Sequence, residues 1–370
     1  MVTAQPSEPA AAPGAGVHLD RTDENVAEID DLAGLLGGPV GLAPLLGDLN
    51  RRARRSHGPL GRAVAEAFTW DRPDRWTRAW WPQGISTSAD ASATGTVAGR
   101  RVVAVTWYAP EVDGQSPGSR VTFLDLDTMR YRHVLLVVPE LSDGRLGLQP
   151  LRVHAGGVAW CGPYLHIAAT ARGFITCRVD DVLRIPDDRR AATMLTRLGV
   201  DQDAVASYGY RYVLPVRFRY RAHAADGTTR LRYSFLSLDR RSPAALVAGE
   251  YGRGAQTTRL ARFPLDLDTA LLETGPDGRA RPVELGEGVR GMQGAAVVDG
   301  RWYVTVSRGP TTPGTVYVGT PGRLVPHRWA VPMGPEDIAA WPGTDRLWTL
   351  TEHPGRRWLL ALRRSWFDRA

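Results

Sequence analysis

All 46 cationic side chains of this chain are arginine; lysine is absent. That absence removes Schiff-base chemistry, lysine-held pyridoxal phosphate and the lysine-bearing phosphate loop. Cysteine occurs twice, as Cys161 and Cys177, with no CxxC or Cys/His spacing. A disulfide framework and a zinc module are therefore excluded, and two reduced, partly buried thiols are expected. No apolar run reaches the ~18 residues that a membrane-spanning helix needs. HExxH, GxSxG, an EF-hand loop and a GxGxxG after a strand are all missing. Asparagine is limited to Asn25 and Asn50, which together with the arginine-only set reads as a GC-rich coding bias.

What is present is ordinary globular material over 370 residues, 43% apolar and 23% charged. The net charge of +7 is scattered, apart from one dense cluster at Arg51, Arg52, Arg54 and Arg55. No aromatic stacking platform accompanies that cluster, so it reads as a solvated face and no nucleic-acid partner is expected. Residues 1–16 are rich in Ala, Pro and Gly and are expected to form a disordered tail. They lack the basic and apolar regions of a secretory signal, which points to the cytoplasm and away from a membrane. Residues 17–69 read as a helical N-terminal extension. Helical spacing covers Val26–Leu36 and Leu42–Arg54 across a Gly37-Gly38-Pro39 break, and Leu60–Phe68 is expected as a third short helix. This extension offers a surface for a protein contact.

From residue 70 onward, aromatic and β-branched runs alternate with Gly/Pro/Asp turns, as in an all-β repeat fold. Asp299-Gly300, between AAVV and RWYVTVS, is a strong hairpin signal. Five sets of runs follow one another, each opened by a corner: Pro82-Gln83-Gly84-Ile85, Ala155-Gly156-Gly157-Val158, Tyr208-Gly209-Tyr210-Arg211, Met292-Gln293-Gly294-Ala295 and Pro335-Glu336-Asp337-Ile338. Radial stacking of five such meanders leaves only short, protected sheet edges, which favours a five-bladed β-propeller over residues 70–370. The last set shows only three strands, and the stretch around Ala67–Trp76 is the expected closing strand.

The corners Trp81-Pro82-Gln83-Gly84-Ile85 and His154-Ala155-Gly156-Gly157 carry a resemblance. The chain resembles the five-bladed β-propeller class, and more narrowly uncharacterised actinobacterial propeller proteins with W-P-Q-G-I and H-A-G-G corners. The resemblance implies the fold and no biochemical role. Arabinanase-like glycosidases of the class need a carboxylate from each of three blades, but Gln83 and His154 stand where two of those acids would be. Apyrase-like members hold a channel calcium, for which two acids and two amides make a poor oxygen cage.

In a propeller the corners converge on one mouth of the central channel. They would bring Gln83, His154, Tyr210, Arg211, Gln293, Glu336 and Asp337 together, and a ring of polar groups there implies a wet or ligand-filled pocket. Glu336 or Asp337 would donate a proton, and strand alternation predicts that only one of the two faces the channel. His154 would accept a proton. Gln83, Gln293 and Arg211 would orient ligand oxygens, while Trp81 and Tyr210 would cover the reacting carbons. Each residue also has a plain structural role open to it, in backbone capping, ion pairing or blade packing. The expected function is a cofactor-independent cyclase, isomerase or lyase of specialised metabolism, acting on a small, largely apolar substrate such as an isoprenoid or polyketide. No metal is expected. The alternatives are a non-catalytic small-molecule or carbohydrate-binding propeller and a glycoside-active propeller.

Overall fold

The computed structural model describes residues 16–187, 196–201 and 204–368, so the expected tail at 1–16 lies, but for Gly16, outside the described residues. Strands dominate, and they assemble into five antiparallel meanders. Blade 1 comprises Trp81–Thr87, Val102–Tyr108, Ser119–Asp125 and Arg130–Ser142. Blade 2 comprises Val158–Cys161, Tyr164–Ala168, Gly173–Arg178 and Tyr212–Ala224. Blade 3 runs through Phe235–Asp239, Ala245–Gly249 and Arg259–Asp266, with the short outer strands Leu271–Leu272 and Glu284–Glu287. Blade 4 is Met292–Val298, Arg301–Val306, Gly314–Thr320 and Arg323–Val331. Blade 5 holds Pro335–Trp341, Arg346–Thr351 and Trp358–Arg363. The first strand of each blade touches the first strand of the next, and that of blade 5 returns to blade 1. The result is a β-propeller.

The ring is closed by Val64–Thr69, which pairs antiparallel with Trp358–Arg363 as the fourth strand of blade 5. This corrects the helix expected at Leu60–Phe68, and it sets the closing strand earlier than Ala67–Trp76. The short run Val-Ala-Glu-Ala-Phe-Thr suits either state by itself, and an open sheet edge decides for the strand. The segment that follows, Arg72–Trp76, is a helical turn capped by the Asp71 side chain with Pro73 in its first turn.

Only part of the N-terminal extension is helical. Val26–Leu36 is a helix as expected, but the second helix stops at Gly47. Arg51–Arg52 and Arg54–Arg55 are strand fragments on the outer strands of blades 1 and 5. Leu32 and Leu36 pack among Leu135, Val137 and Val213, while Leu42, Leu45 and Leu46 join the core between blades 1 and 2. Val17–Arg21 adds a further strand to the outer edge of blade 2. Cys161 and Cys177 are free and buried, and burial pushes both thiols well above their ordinary value.

At the hub the innermost strands approach more closely than side chains allow. A Cβ at Gly157 would fall 2.1 Å from the backbone nitrogen of Leu236, and one at Gly294 2.5 Å from the Asp337 Cα. The equivalent place in blade 5 holds Asp337, fully buried, whose Oδ2 accepts the backbone N–H groups of Ile85 (3.1 Å) and Val158 (3.4 Å). One carboxylate thus ties blade 5 to blades 1 and 2. Hydroxyls repeat this logic between neighbours: Thr106 donates to the Ala155 carbonyl at 2.8 Å and Thr305 to that of Glu336 at 2.6 Å. Off the axis, the buried Asp74 carboxylate receives Arg120 (3.0 Å) and Tyr131 (2.8 Å) and pairs with His133 (2.8 Å), locking the turn after the closing strand onto blade 1.

Asp337→Ala leaves two buried backbone donors without their acceptor and is expected to cost about 2–4 kcal/mol. Asp337→Asn keeps an acceptor oxygen and is expected to stay near the parent. Urea unfolding midpoints of the two variants check this.

Candidate functional site

Three of the five corners are irregular in the same way. The pairing of the first two strands slips between Pro82 and Ile85 in blade 1, between Met292 and Gly294 in blade 4, and between Pro335 and Ile338 in blade 5. Such bulges re-aim side chains. They turn Gln83, Gln293 and Glu336 into a cavity of about 560 Å³ at the mouth where the innermost strands begin. The bulge also overturns the expected alternation: Glu336 and Asp337 both turn toward the channel, at different depths. Glu336 reaches the cavity, whereas Asp337 lies beneath it, holds the hub and does not line it.

The cavity collects Gln83, His154, Gln293 and Glu336, as expected. It also holds groups not foreseen: Tyr108, Glu352, Arg232 and Arg253 above all. Tyr108 and Glu352 stand at the ends of second strands, and in an antiparallel hairpin that end lies beside the start of the first strand. That register was the available signal. Three expected residues lie elsewhere. Tyr210 receives a hydrogen bond from Arg120 at 3.2 Å and packs on Trp80. Arg211 binds Asp187 and the Ile185 carbonyl. Both sit before the outermost strand of blade 2, because Tyr212–Ala224 completes that blade and the corner of blade 3 is at Ser234. Tyr208, at φ +52°, and Gly209 form a turn, so Tyr208, Tyr210 and Tyr212 do not share a strand face. Trp81 sits behind the cavity wall, where its ring edge meets His353 and its face carries the Arg357 guanidinium.

The centre of the site is a carboxyl pair. Glu336 and Glu352 lie side by side in the lining, and each is held by an amide. Gln293 Nε2 donates to Glu336 Oε1 at 3.1 Å, and Gln83 Nε2 donates to Glu352 Oε2 at 3.2 Å. Burial, then the neighbouring charges of Glu352 and Asp337, raise the Glu336 carboxyl well above the usual range. Burial also raises Glu352, but less, because the Gln83 amide and the nearby Arg357 favour its charge. Both shifts favour a proton held by the pair. Tyr108 is pushed up to about 12 by burial and by both acids, so it keeps its phenolic proton. Its ring lies 4.2 Å from that of His154. His154 stands at the rim, and the protein packed around it lowers its imidazole below the ordinary value, leaving it neutral. Across the mouth, Arg232, Arg253, Gln256 and Ser234 make a polar, cationic wall. This lining does not suit the largely apolar substrate expected from composition.

A larger cavity, of about 700 Å³, occupies the opposite mouth. Two of its acids are engaged, Asp239 pairing with Arg241 and Arg262 and Asp345 accepting from Ser365, while the buried Asp90, bonded to Ser86, is pushed up to about 6 by burial. At the first mouth, among the described residues, no arginine lies within ion-pair distance of the Glu336 or Glu352 carboxyl, and the one basic group within that distance is His353, 3.6 Å from Glu352. Among the described residues, no helix is long and apolar enough to cross a membrane.

No family model matches the chain, and no curated protein matches it. Among solved structures it is similar to the Cps50 (Swd1) β-propeller domain of Myceliophteria thermophila, at 10% identity and a TM-score of 0.36, covering 85% of this chain and 100% of that one. It is also similar to CoXyl43, a GH43 β-xylosidase/α-arabinofuranosidase from a compost microbial metagenome, solved with xylotriose in a calcium-free form. That match has 10% identity and a TM-score of 0.33 and covers 84% and 94% of the two chains. At this identity neither likeness speaks to activity.

A carboxyl whose folded-state value is raised favours folding below its unfolded value of 4.5 and loses that contribution as pH rises toward the folded-state value. Glu336→Gln removes the titration. Its melting temperature relative to the parent is therefore expected to climb steadily above pH 4.5, and paired thermal melts across pH 4–9 check the slope.

Proposed function

We propose that this mouth carries out acid–base chemistry on a small, hydroxylated, anionic molecule, of the elimination or isomerisation type. The observation that carries the reading is the Glu336–Glu352 pair, two carboxyls held by the Gln293 and Gln83 amides in the lining of a polar cavity. An acid kept neutral at physiological pH is a competent proton donor. Glu336 gives its proton to a departing oxygen, and the repulsion this leaves between the two carboxylates is relieved when solvent reprotonates the pair. His154, uncharged at the rim, takes a proton from the neighbouring carbon. Arg232 and Arg253 face the anionic group, which acidifies the carbon beside it. Gln83 and Gln293 fix the orientation of the acids.

A binding propeller is the second reading, favoured by the breadth of the polar wall. The two are separated by a thermal-shift screen of hydroxy acids and sugar acids, with each hit then followed by NMR in D2O. The expected result is solvent deuterium entering the bound compound, or a product forming. Glu336→Gln is expected to keep binding within about threefold and lose at least about 100-fold in rate. Binding with no exchange and no product over days assigns the site to ligand capture alone.

A further inference from the structure

Away from the channel, one surface cluster combines three metal-ligating groups. Val17–Arg21 pairs antiparallel with Tyr212–Ala224, and His18 lies directly opposite His223. Residues two apart on a strand share a face, so Asp20 projects beside both imidazoles. The rings are stacked, with centroids 5.3 Å apart and planes 12° from parallel. His18 Nε2 lies 3.8 Å from Asp20 Oδ1, and His223 Nε2 lies 3.5 Å from Asp20 Oδ2. One ligand atom from each of the three falls within 4.8 Å of the others.

Ligands of a four-coordinate zinc ion, at ~2.0–2.1 Å from the metal, stand roughly 3.3–3.5 Å from one another. The three groups are thus one small side-chain adjustment from an ion's first coordination sphere. Asp20 and His223 are only half-buried, which leaves their side chains room to make it. We infer that His18, Asp20 and His223 form a site for a divalent transition-metal ion, which staples the N-terminal strand to the outer edge of blade 2. Two imidazoles and one carboxylate suit zinc, cobalt, nickel or copper, and not magnesium or calcium, which prefer all-oxygen shells. The remaining coordination positions open to water. A competitor is built in: Arg279 Nε lies 3.7 Å from Asp20 Oδ1 and draws the same carboxylate.

The test is calorimetric titration of the untagged full chain, stripped with chelator, with Zn²⁺, Co²⁺ and Mg²⁺. The expected result is 1:1 binding of Zn²⁺ and Co²⁺, none of Mg²⁺, and visible d–d bands for the cobalt form. His223→Ala and Asp20→Asn, both at half-buried positions, are each expected to weaken zinc binding about tenfold or more. Arg279→Gln is expected to tighten it severalfold, an outcome that loss of folding cannot imitate. Zinc binding that is absent from the parent, or unchanged in His223→Ala and Asp20→Asn, overturns the proposal.

Discussion

The structure depends on how little room exists where the five innermost strands meet. Gly157 and Gly294 leave no space for a side chain, and the single carboxylate admitted to the hub, that of Asp337, is used to satisfy backbone donors from two other blades. A buried N–H left without a partner costs more than an ordinary hydrogen bond gains, so this acceptor is held by necessity. In blades 1, 4 and 5 the ladder slips beside this hub, and the freed side chains collect at one mouth.

The same crowding accounts for the chemistry of that mouth. Glu336 is adjacent to Asp337 in sequence, so one acid cannot be placed at the hub without holding the other just above it. Glu352 arrives from the neighbouring strand of the same blade. Three carboxyl groups in so small a buried volume cannot all ionise. Arg357, stacked on Trp81 and Trp107, favours the charged form of Glu352.

Much of this was legible in the sequence. The corners Pro82-Gln83-Gly84, Met292-Gln293-Gly294 and Pro335-Glu336-Asp337 repeat a pattern of polar residue followed by a small or special one. A shared place in a repeat implies a shared place in space. The third corner was misplaced because Tyr212–Ala224 has the aromatic and β-branched texture of an inner strand, whereas it is the long outer strand of blade 2. Local texture reports strand character but not radial position. Glu352 was missed because it sits at a strand's end, where an acid has no local signature and acquires meaning only from its neighbour across the hairpin. Both Glu336 and Asp337 turning inward was unreadable, since a bulge breaks the period-two rule without marking the composition.

The strand that completes blade 5 comes from near the start of the chain, while the three it joins come from the end. Leu359, Leu360 and Leu362 face Phe68, Ala67 and Val64, so blade 5 is complete only once these distant segments have met. Until then blade 5 has an unpaired flank and the wheel has a gap. The pairing works as a clasp: Val64–Thr69 and Trp358–Arg363 must meet before either is secure.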